Sequence, residues 1–266
     1  MKAVHRVLDP NLLDPDAEGL CALAVMTKAP RAGRVKTRLV PPLTTEEAAQ
    51  LNACFLRDTA NAIAEATGDI ARGIAVYTPV GAEDAYSDIL PHDFDLLLQQ
   101  GNGFGERLAA ANEDLFRIGF ASVCLIDSDS PTVSAECYTQ AVNLLSAEND
   151  RVVLGPSDDG GYYLIGMKKN HHRLFEEINW STERVLDRTV QRAAELKLAV
   201  EFLPACYDVD DRTTLWRVCD ELLRDNSRST IDTAPATRAF LREIIEREGR
   251  ARIWPWKNKN VGRRSA

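Results

Sequence analysis

The chain has 266 residues, 45% of them hydrophobic and 27% charged, which suits one large domain or two small ones and excludes a disordered or fibrous protein. A formal net charge of -8 argues against a protein built to coat nucleic acid or an anionic membrane, since both depend on a positive surface. Six cysteines, at 21, 54, 124, 137, 206 and 219, form no CxxC and have no nearby His to complete a zinc set, which fits reduced thiols in a cytoplasmic protein.

Residues 1–20 read as an N-terminal extension with four acids and no apolar run long enough for a signal-peptide core. No later stretch approaches the roughly 18 apolar residues of a membrane span. The core pattern starts at residues 21–26, CALAVM, an apolar run that ends in a polar loop and so reads as a buried strand. Thr44 with Glu47 is a capping-box signature, and Ala48, Leu51, Phe55, Leu56, Ala62 and Ile63 then keep a helical period. Strands follow at 74–77 and 94–98, a helix over 106–115, a strand over 122–126 and a helix over 135–145. The strands at 151–154 and 162–165 are too close for a helical crossover, which predicts a hairpin or a locally mixed sheet. A helix opened by Ser181-Thr182-Glu183, a strand at 200–203 and a helix after Asp210 complete the pattern.

Strands alternating with helices of this length predict a mostly parallel sheet with helices on both faces, a Rossmann-like α/β domain over residues 21–249. Residues 250–266 differ, with six Lys or Arg, no acids and Trp254-Pro255-Trp256. This basic tail is either a frayed terminus or a docking segment for an acidic partner or subunit.

In open α/β sheets ligands bind beyond the carboxyl ends of the strands, so the loops after the apolar runs carry the candidate chemistry. The first loop, residues 27–38, holds Lys28, Arg31, Arg34, Lys36 and Arg38 and no acid. Such a loop suits phosphate oxygens, with Gly33 letting the backbone approach a diphosphate, although it is neither a Walker A loop nor GxGxxG. The alternative is a solvated basic turn. The second, Asp127-Ser128-Asp129-Ser130-Pro131, offers carboxylates to a hard cation, Mg2+ or Mn2+, or else serves as an N-cap or Asx-turn. A third, Tyr207-Asp208-Val209-Asp210-Asp211, supplies a second carboxylate for the same ion, with helix capping by Asp210 or Asp211 as the competing reading. The fourth, residues 155–163, contains Asp158, Asp159, Gly160, Gly161 and Tyr162 and presents either a carboxylate and amides to a polar ligand or a plain hairpin turn. Upstream, Gln100 to Arg107 forms a Gly-rich strand-to-helix loop that closes over a nucleotide or merely caps the helix.

KAPRAGRVKTRL, LIDSDSPT, VVLGPSDDGGYYLIG, NWST and YDVDD, in this order between about Cys21 and Cys219, resemble the DUF2064-type family of GT-A-like proteins. That family is often labelled glycosyltransferase and is kin to molybdenum-cofactor guanylyltransferase-like nucleotidyltransferases. The resemblance implies the GT-A (nucleotide-diphospho-sugar transferase) fold, with Asp129 and Asp210 as the metal carboxylates and Mg2+ or Mn2+ as the cofactor. It further implies Lys28, Gly33, Lys36 and Arg38 as the phosphate-binding loop, and Asp159, Gly160, Gly161 and Tyr162 facing sugar or acceptor; by their places in these and the Gly-rich loop, Arg34 and Gln100 join the expected nucleotide-binding residues and Asp158 the acceptor-facing ones. Gly103-Phe104 departs from the acidic-apolar pair that relatives carry before the glycine.

The function expected first is glycosyl transfer from a nucleotide sugar to a small-molecule acceptor, Lys36 steadying the leaving nucleotide and Asp159 or Asp158 acting as base. The alternatives are nucleotidyl transfer from a nucleoside triphosphate to a phosphorylated small molecule, and a nucleotide-binding module without catalysis. Neither a nucleic-acid partner nor a particular oligomeric state is implied.

Overall fold

The computed structural model describes residues 4–224 and 233–255. Seven strands make one sheet in the order β3-β2-β1-β4-β6-β5-β7, from β1 (Cys21–Lys28), β2 (Ala71–Thr78), β3 (Asp95–Leu98), β4 (Ser122–Ile126), β5 (Arg151–Pro156), β6 (Tyr162–Met167) and β7 (Ala199–Phe202). All neighbours are parallel except that β6 runs antiparallel to both β4 and β5, so the hairpin and the locally mixed sheet are both present. The helices are α1 (Thr45–Thr67), α2 (Phe104–Ile118), α3 (Ala135–Ser146), α4 (Val185–Glu195), α5 (Arg212–Leu223) and α6 (Pro235–Glu248).

The apolar run of β1 is continuous because both faces of the sheet are covered. Leu23 and Val25 point into a core shared with α1 and α3, whereas Ala22 and Ala24 point into a second core shared with α2. That is the two-residue alternation of a strand acting on a doubly covered sheet. α1 begins where its capping box predicts: the Glu47 amide donates to Thr44 Oγ1 at 3.1 Å and the Thr44 amide to Glu47 Oε2 at 2.9 Å. Its far face, Leu51 and Phe55, packs into a third cluster with α5 and α6, which makes a helical pad behind α1.

Two helices differ from the sequence reading. α4 starts at Val185 rather than at Ser181, because Ser181 is left-handed (φ 63) and the Leu186 amide donates to the hairpin carbonyl of Gly160 at 2.9 Å. α6 was not anticipated, and its cap comes from across the fold: Asp58 on α1 accepts from the Ala236 and Thr237 amides at 2.9 and 2.8 Å.

Both ends of the sequence-defined domain have packed neighbours. Val7 pairs in parallel with Leu96, and Arg6 bridges Asp95 at 2.6 Å and Asp14 at 2.8 Å, so this part of the N-terminal extension borders β3. At the other end Ile253 and Trp254 are buried in the third cluster, and Arg252 bridges Glu47 at 2.5 Å. The rest of the basic tail, Trp256 included, lies outside the described residues.

Candidate functional site

β1 and β4 are parallel neighbours from which the chain winds in opposite directions, toward β2 and β3 on one side and toward β6, β5 and β7 on the other. A crevice forms where such a sheet reverses its order, outside the carboxyl ends of the two strands. The basic loop leaves β1 here and the Asp127–Pro131 loop leaves β4 here. β7 lies at the sheet edge, yet the segment after it is carried back by hydrogen bonds. The Leu203 amide donates to Leu154 O, that of Cys206 to Pro156 O, and that of Val209 to Asp129 O, each at 2.9 Å. Three acidic or basic loops far apart in sequence thus meet at one point.

Lys36 marks that point. Its Nζ lies 2.8 Å from Asp129 Oδ1 and 2.8 Å from Asp210 Oδ1, and donates to Val209 O at 2.9 Å. All three ammonium protons therefore have acceptors. Only 4% of the Lys36 side chain is exposed, against 35% for Asp129 and Asp210, so the cation forms the floor and the carboxylates stay open to solvent. Burial alone pulls the Lys36 ammonium down, but the Asp129 and Asp210 charges outweigh it and leave the group above its ordinary value. Burial likewise pushes the Asp210 carboxyl up, and the Lys36 charge and hydrogen bond more than reverse this. Lys36 reaches this position from a left-handed backbone (φ 47), a conformation that costs a non-glycine residue free energy and is kept where surrounding contacts compensate.

The competing roles read from the sequence separate residue by residue. Asp127 turns inward: it accepts from the Asp129 amide at 3.3 Å and from Ser130 Oγ at 2.9 Å, and burial, then the Asp129 charge, holds its carboxyl well above the usual range. Asp127 makes the Asx-turn, which projects Asp129 toward Lys36. Asp211 caps α5, accepting from the Thr213 and Thr214 amides at 2.8 and 2.9 Å, which leaves Asp210 free for the ammonium. Between them, Asp208 is pushed up to about 6 by burial and by the nearby charges of Asp210 and Asp159.

A cavity of about 320 Å³ opens over this cluster, lined by Lys28, Arg34, Lys36, Arg38, Asp129 and Asp210. Six of the proposed nucleotide and metal residues are therefore brought together. Gly33 turns the loop at φ 70 without lining the cavity. Gln100 does not line it either; its neighbour Gln99 does, held by donation from Nε2 to Thr27 O at 2.9 Å and Val76 O at 2.7 Å. The following loop caps α2, with Glu106 Oε2 accepting from the Asn102 and Gly103 amides at 2.8 and 3.2 Å. It also brings Phe104 and Arg107 to the cavity.

Asp158 to Tyr162 sit apart from the cavity lining. Asp158 bridges Arg217 at 2.5 Å, and Asp159 Oδ1 accepts from the Gly161 amide at 2.8 Å. Gly160 (φ 88) leaves no room for a Cβ against the Glu183 backbone, while Ser157 Oγ donates to Asp208 Oδ1 at 3.1 Å. The turn is therefore wedged between the 206–208 segment and the approach to α4. Tyr162 packs its ring against the core on the α2 face.

Sequence reasoning missed Asn52, Thr78 and Gln99 as lining residues, whereas Phe104 and Arg107 come from the Gly-rich loop and Ser128 from the acidic loop that the sequence singles out. Asn52 alone left a signal, as a polar residue inside the apolar stretch of α1. Among the described residues no group of three or more His, Cys, Asp or Glu is placed to hold a metal ion; the convergent carboxylates are a pair.

Residues 59–182 match the model of a family described as "Uncharacterized protein conserved in bacteria (DUF2064)". No curated protein matches the chain. Among solved structures, a "putative nucleotide-diphospho-sugar transferase" from Desulfovibrio desulfuricans G20 superposes with a TM-score of 0.75 at 29% identity, covering 86% of this chain and 96% of that one. Two weaker likenesses are a 4-diphosphocytidyl-2C-methyl-D-erythritol synthase from Anaerococcus prevotii DSM 20548 and a cytidylyltransferase from Leptospira borgpetersenii. The first has a TM-score of 0.49 at 14% identity, covering 77% of this chain and 99% of that one. The second has a TM-score of 0.48 at 10% identity, covering 92% and 100%. Residues 59–182, which hold the LIDSDSPT, VVLGPSDDGGYYLIG and NWST motifs, are thus similar to the DUF2064 family, and the α/β fold is shared with the Desulfovibrio protein.

Proposed function

We propose that the protein is a divalent-metal-dependent transferase acting on a nucleotide-linked substrate, and that it transfers a glycosyl group from a nucleotide sugar. The observation that carries the proposal is the convergence of Asp129, Asp210 and the Lys36 ammonium beneath a cavity lined by Lys28, Arg34 and Arg38. The donor set suits Mg2+ or Mn2+, hard cations that one or two carboxylates hold with water and substrate phosphates completing the shell. A bound ion would neutralise charge on the diphosphate as the nucleotide departs. Lys28, Arg34 and Arg38 bind and orient the phosphates, and Lys36, pinned from three sides, keeps Asp129 and Asp210 aimed at one point. The 29% identity to a protein named as a sugar-nucleotide transferase supports the glycosyl reading.

One observation favours nucleotidyl transfer as the second reading. The carboxylates lining the cavity, Asp129 and Asp210, are both engaged by Lys36, and Asp158 and Asp159 lie outside the lining. Transfer to an acceptor hydroxyl with inversion calls for a base within reach, whereas a substrate phosphate attacking a nucleoside triphosphate is already anionic. Product analysis decides between them. Incubation with Mn2+, small-molecule hydroxyl and phosphate acceptors, and a panel of nucleotide sugars and triphosphates is expected to release nucleoside diphosphate as the glycosyl group passes to the acceptor; release of pyrophosphate instead, with the nucleoside monophosphate joined to a phosphorylated acceptor, would reverse the ranking.

A further inference from the structure

Beside the cations that line the cavity, two side chains suited to something other than a phosphate, Phe104 and Asn52, enter it from helices on opposite faces of the sheet. Phe104, the first residue of α2, is 57% exposed although it is large and apolar, and it lines the cavity. Its ring is not loose: it meets Trp180 edge-on, with centroids 5.4 Å apart and planes at 74°. Trp180 in turn lies against Gly105, where any Cβ would collide with the indole. Phe104 is thus held by its edge with much of its surface left open, an arrangement that loses little freedom when a flat group stacks on it.

Asn52 enters from α1. The residue is 7% exposed, lines the same cavity, and its amide has no hydrogen-bond partner among the described residues. The amide atoms are not among the fully buried polar atoms without a partner, so they keep access to the cavity and are available to a group that occupies it. Unlike the surrounding Lys and Arg groups, an amide both accepts and donates, so it matches a group with N–H and carbonyl edges rather than a phosphate.

We propose that Phe104 and Asn52 form a nucleobase subsite, Phe104 stacking on the ring and Asn52 reading its polar edge, while the Lys28–Arg38 loop takes the phosphates. This rests on the nucleotide reading above and adds how the base is held and chosen. Stacking is tolerant of base identity and sets affinity; the amide contact sets preference. Trp180 is a positioning residue, acting through Phe104.

Calorimetric titration with Mn2+ present tests this, using ADP, GDP, CDP, UDP and inorganic pyrophosphate as probes. Phe104→Ala is expected to weaken all four nucleotides about tenfold and leave pyrophosphate unchanged, with Phe104→Trp restoring affinity. Asn52→Leu, with Asn52→Ala as a second variant, is expected to erase the margin between the preferred nucleotide and the others, again with pyrophosphate unchanged. Nucleotide affinities that stay at wild-type values in Phe104→Ala, or a parallel loss for pyrophosphate, overturn the subsite; an unchanged preference in both Asn52 variants removes Asn52 from it. A wild-type protein that binds neither nucleotide nor pyrophosphate contradicts the nucleotide reading itself, an outcome distinct from failure of the subsite alone.

Discussion

The Lys36 ammonium contacts both carboxylates proposed to hold the metal ion and neutralises part of their charge from the floor of the cavity. An ammonium buried against two carboxylates is strongly coupled to both, so changing any member acts on stability as well as on chemistry. Asp129→Asn leaves Lys36 with Asp210 and Val209 O, and is expected to cost about 2 kcal/mol in denaturant unfolding, within the range for a hydrogen bond to a charged group. Lys36→Met has opposite consequences for ion and turnover. Two carboxylates without their counter-cation should bind Mn2+ more tightly in the absence of nucleotide, while transfer falls on the order of 100-fold because a preorganised charge is lost. Manganese titration and single-turnover rates check the two halves, and weaker manganese binding in Lys36→Met would count against a shared cation position. The residue types at this site were legible because cations and acids cluster after strands. Their partition was not: nothing local says that Asp127 turns inward and Asp129 outward, or that Gln99 rather than Gln100 faces the cavity, since each depends on the direction in which a strand ends.

The elements position these residues through contacts made far from the cavity. Glu47 closes the capping box of α1 and also takes Arg247 at 2.6 Å and Arg252 at 2.5 Å, joining the start of α1 to the C-terminal helical pad. Burial pushes its carboxyl up, but Arg252 and the Thr44 amide outweigh this and hold it below the ordinary 4.5. A depressed acid stabilises the fold above its unfolded-state value and loses that contribution as the pH falls through the folded one. Glu47→Gln should therefore destabilise by about 1–3 kcal/mol at neutral pH. The gap in melting temperature between wild type and variant should close as the pH is lowered from above 4.5 through the depressed value. A gap independent of pH would mean that the Glu47 charge is not what matters. The capping box of α1 was readable because both partners are local. α6 was not, because its cap, Asp58, stands 178 and 179 residues from the amides it accepts, and Ser181 failed as a helix start because it is left-handed and the hairpin carbonyl of Gly160 takes the Leu186 amide in the first turn of α4.

For the whole molecule, the alternating strands and helices give the doubly covered sheet, and the sheet order places β1 beside β4 so that loops separated by up to 174 residues converge on Lys36. The outer layers support this arrangement. Ile253 and Trp254 are buried against α5 and α6, and Trp254 Nε1 donates to Asp220 at 2.5 Å. Truncation after Gly249 is expected to lower the melting temperature by about 5 °C or more, from the lost apolar burial; an unchanged value would show that these contacts add nothing to the fold. The central claim, that Asp129 and Asp210 hold a metal ion for a nucleotide-linked substrate, is tested most directly by thermal unfolding of wild type and Asp129→Asn with nucleotide sugars or nucleoside triphosphates, with and without Mn2+. Binding to the folded state raises its stability by about 2.7 kcal/mol at a hundredfold excess over Kd. A metal-dependent rise in wild type that disappears in Asp129→Asn is expected; a metal-dependent rise of the same size in both proteins would mean that Asp129 does not hold the ion.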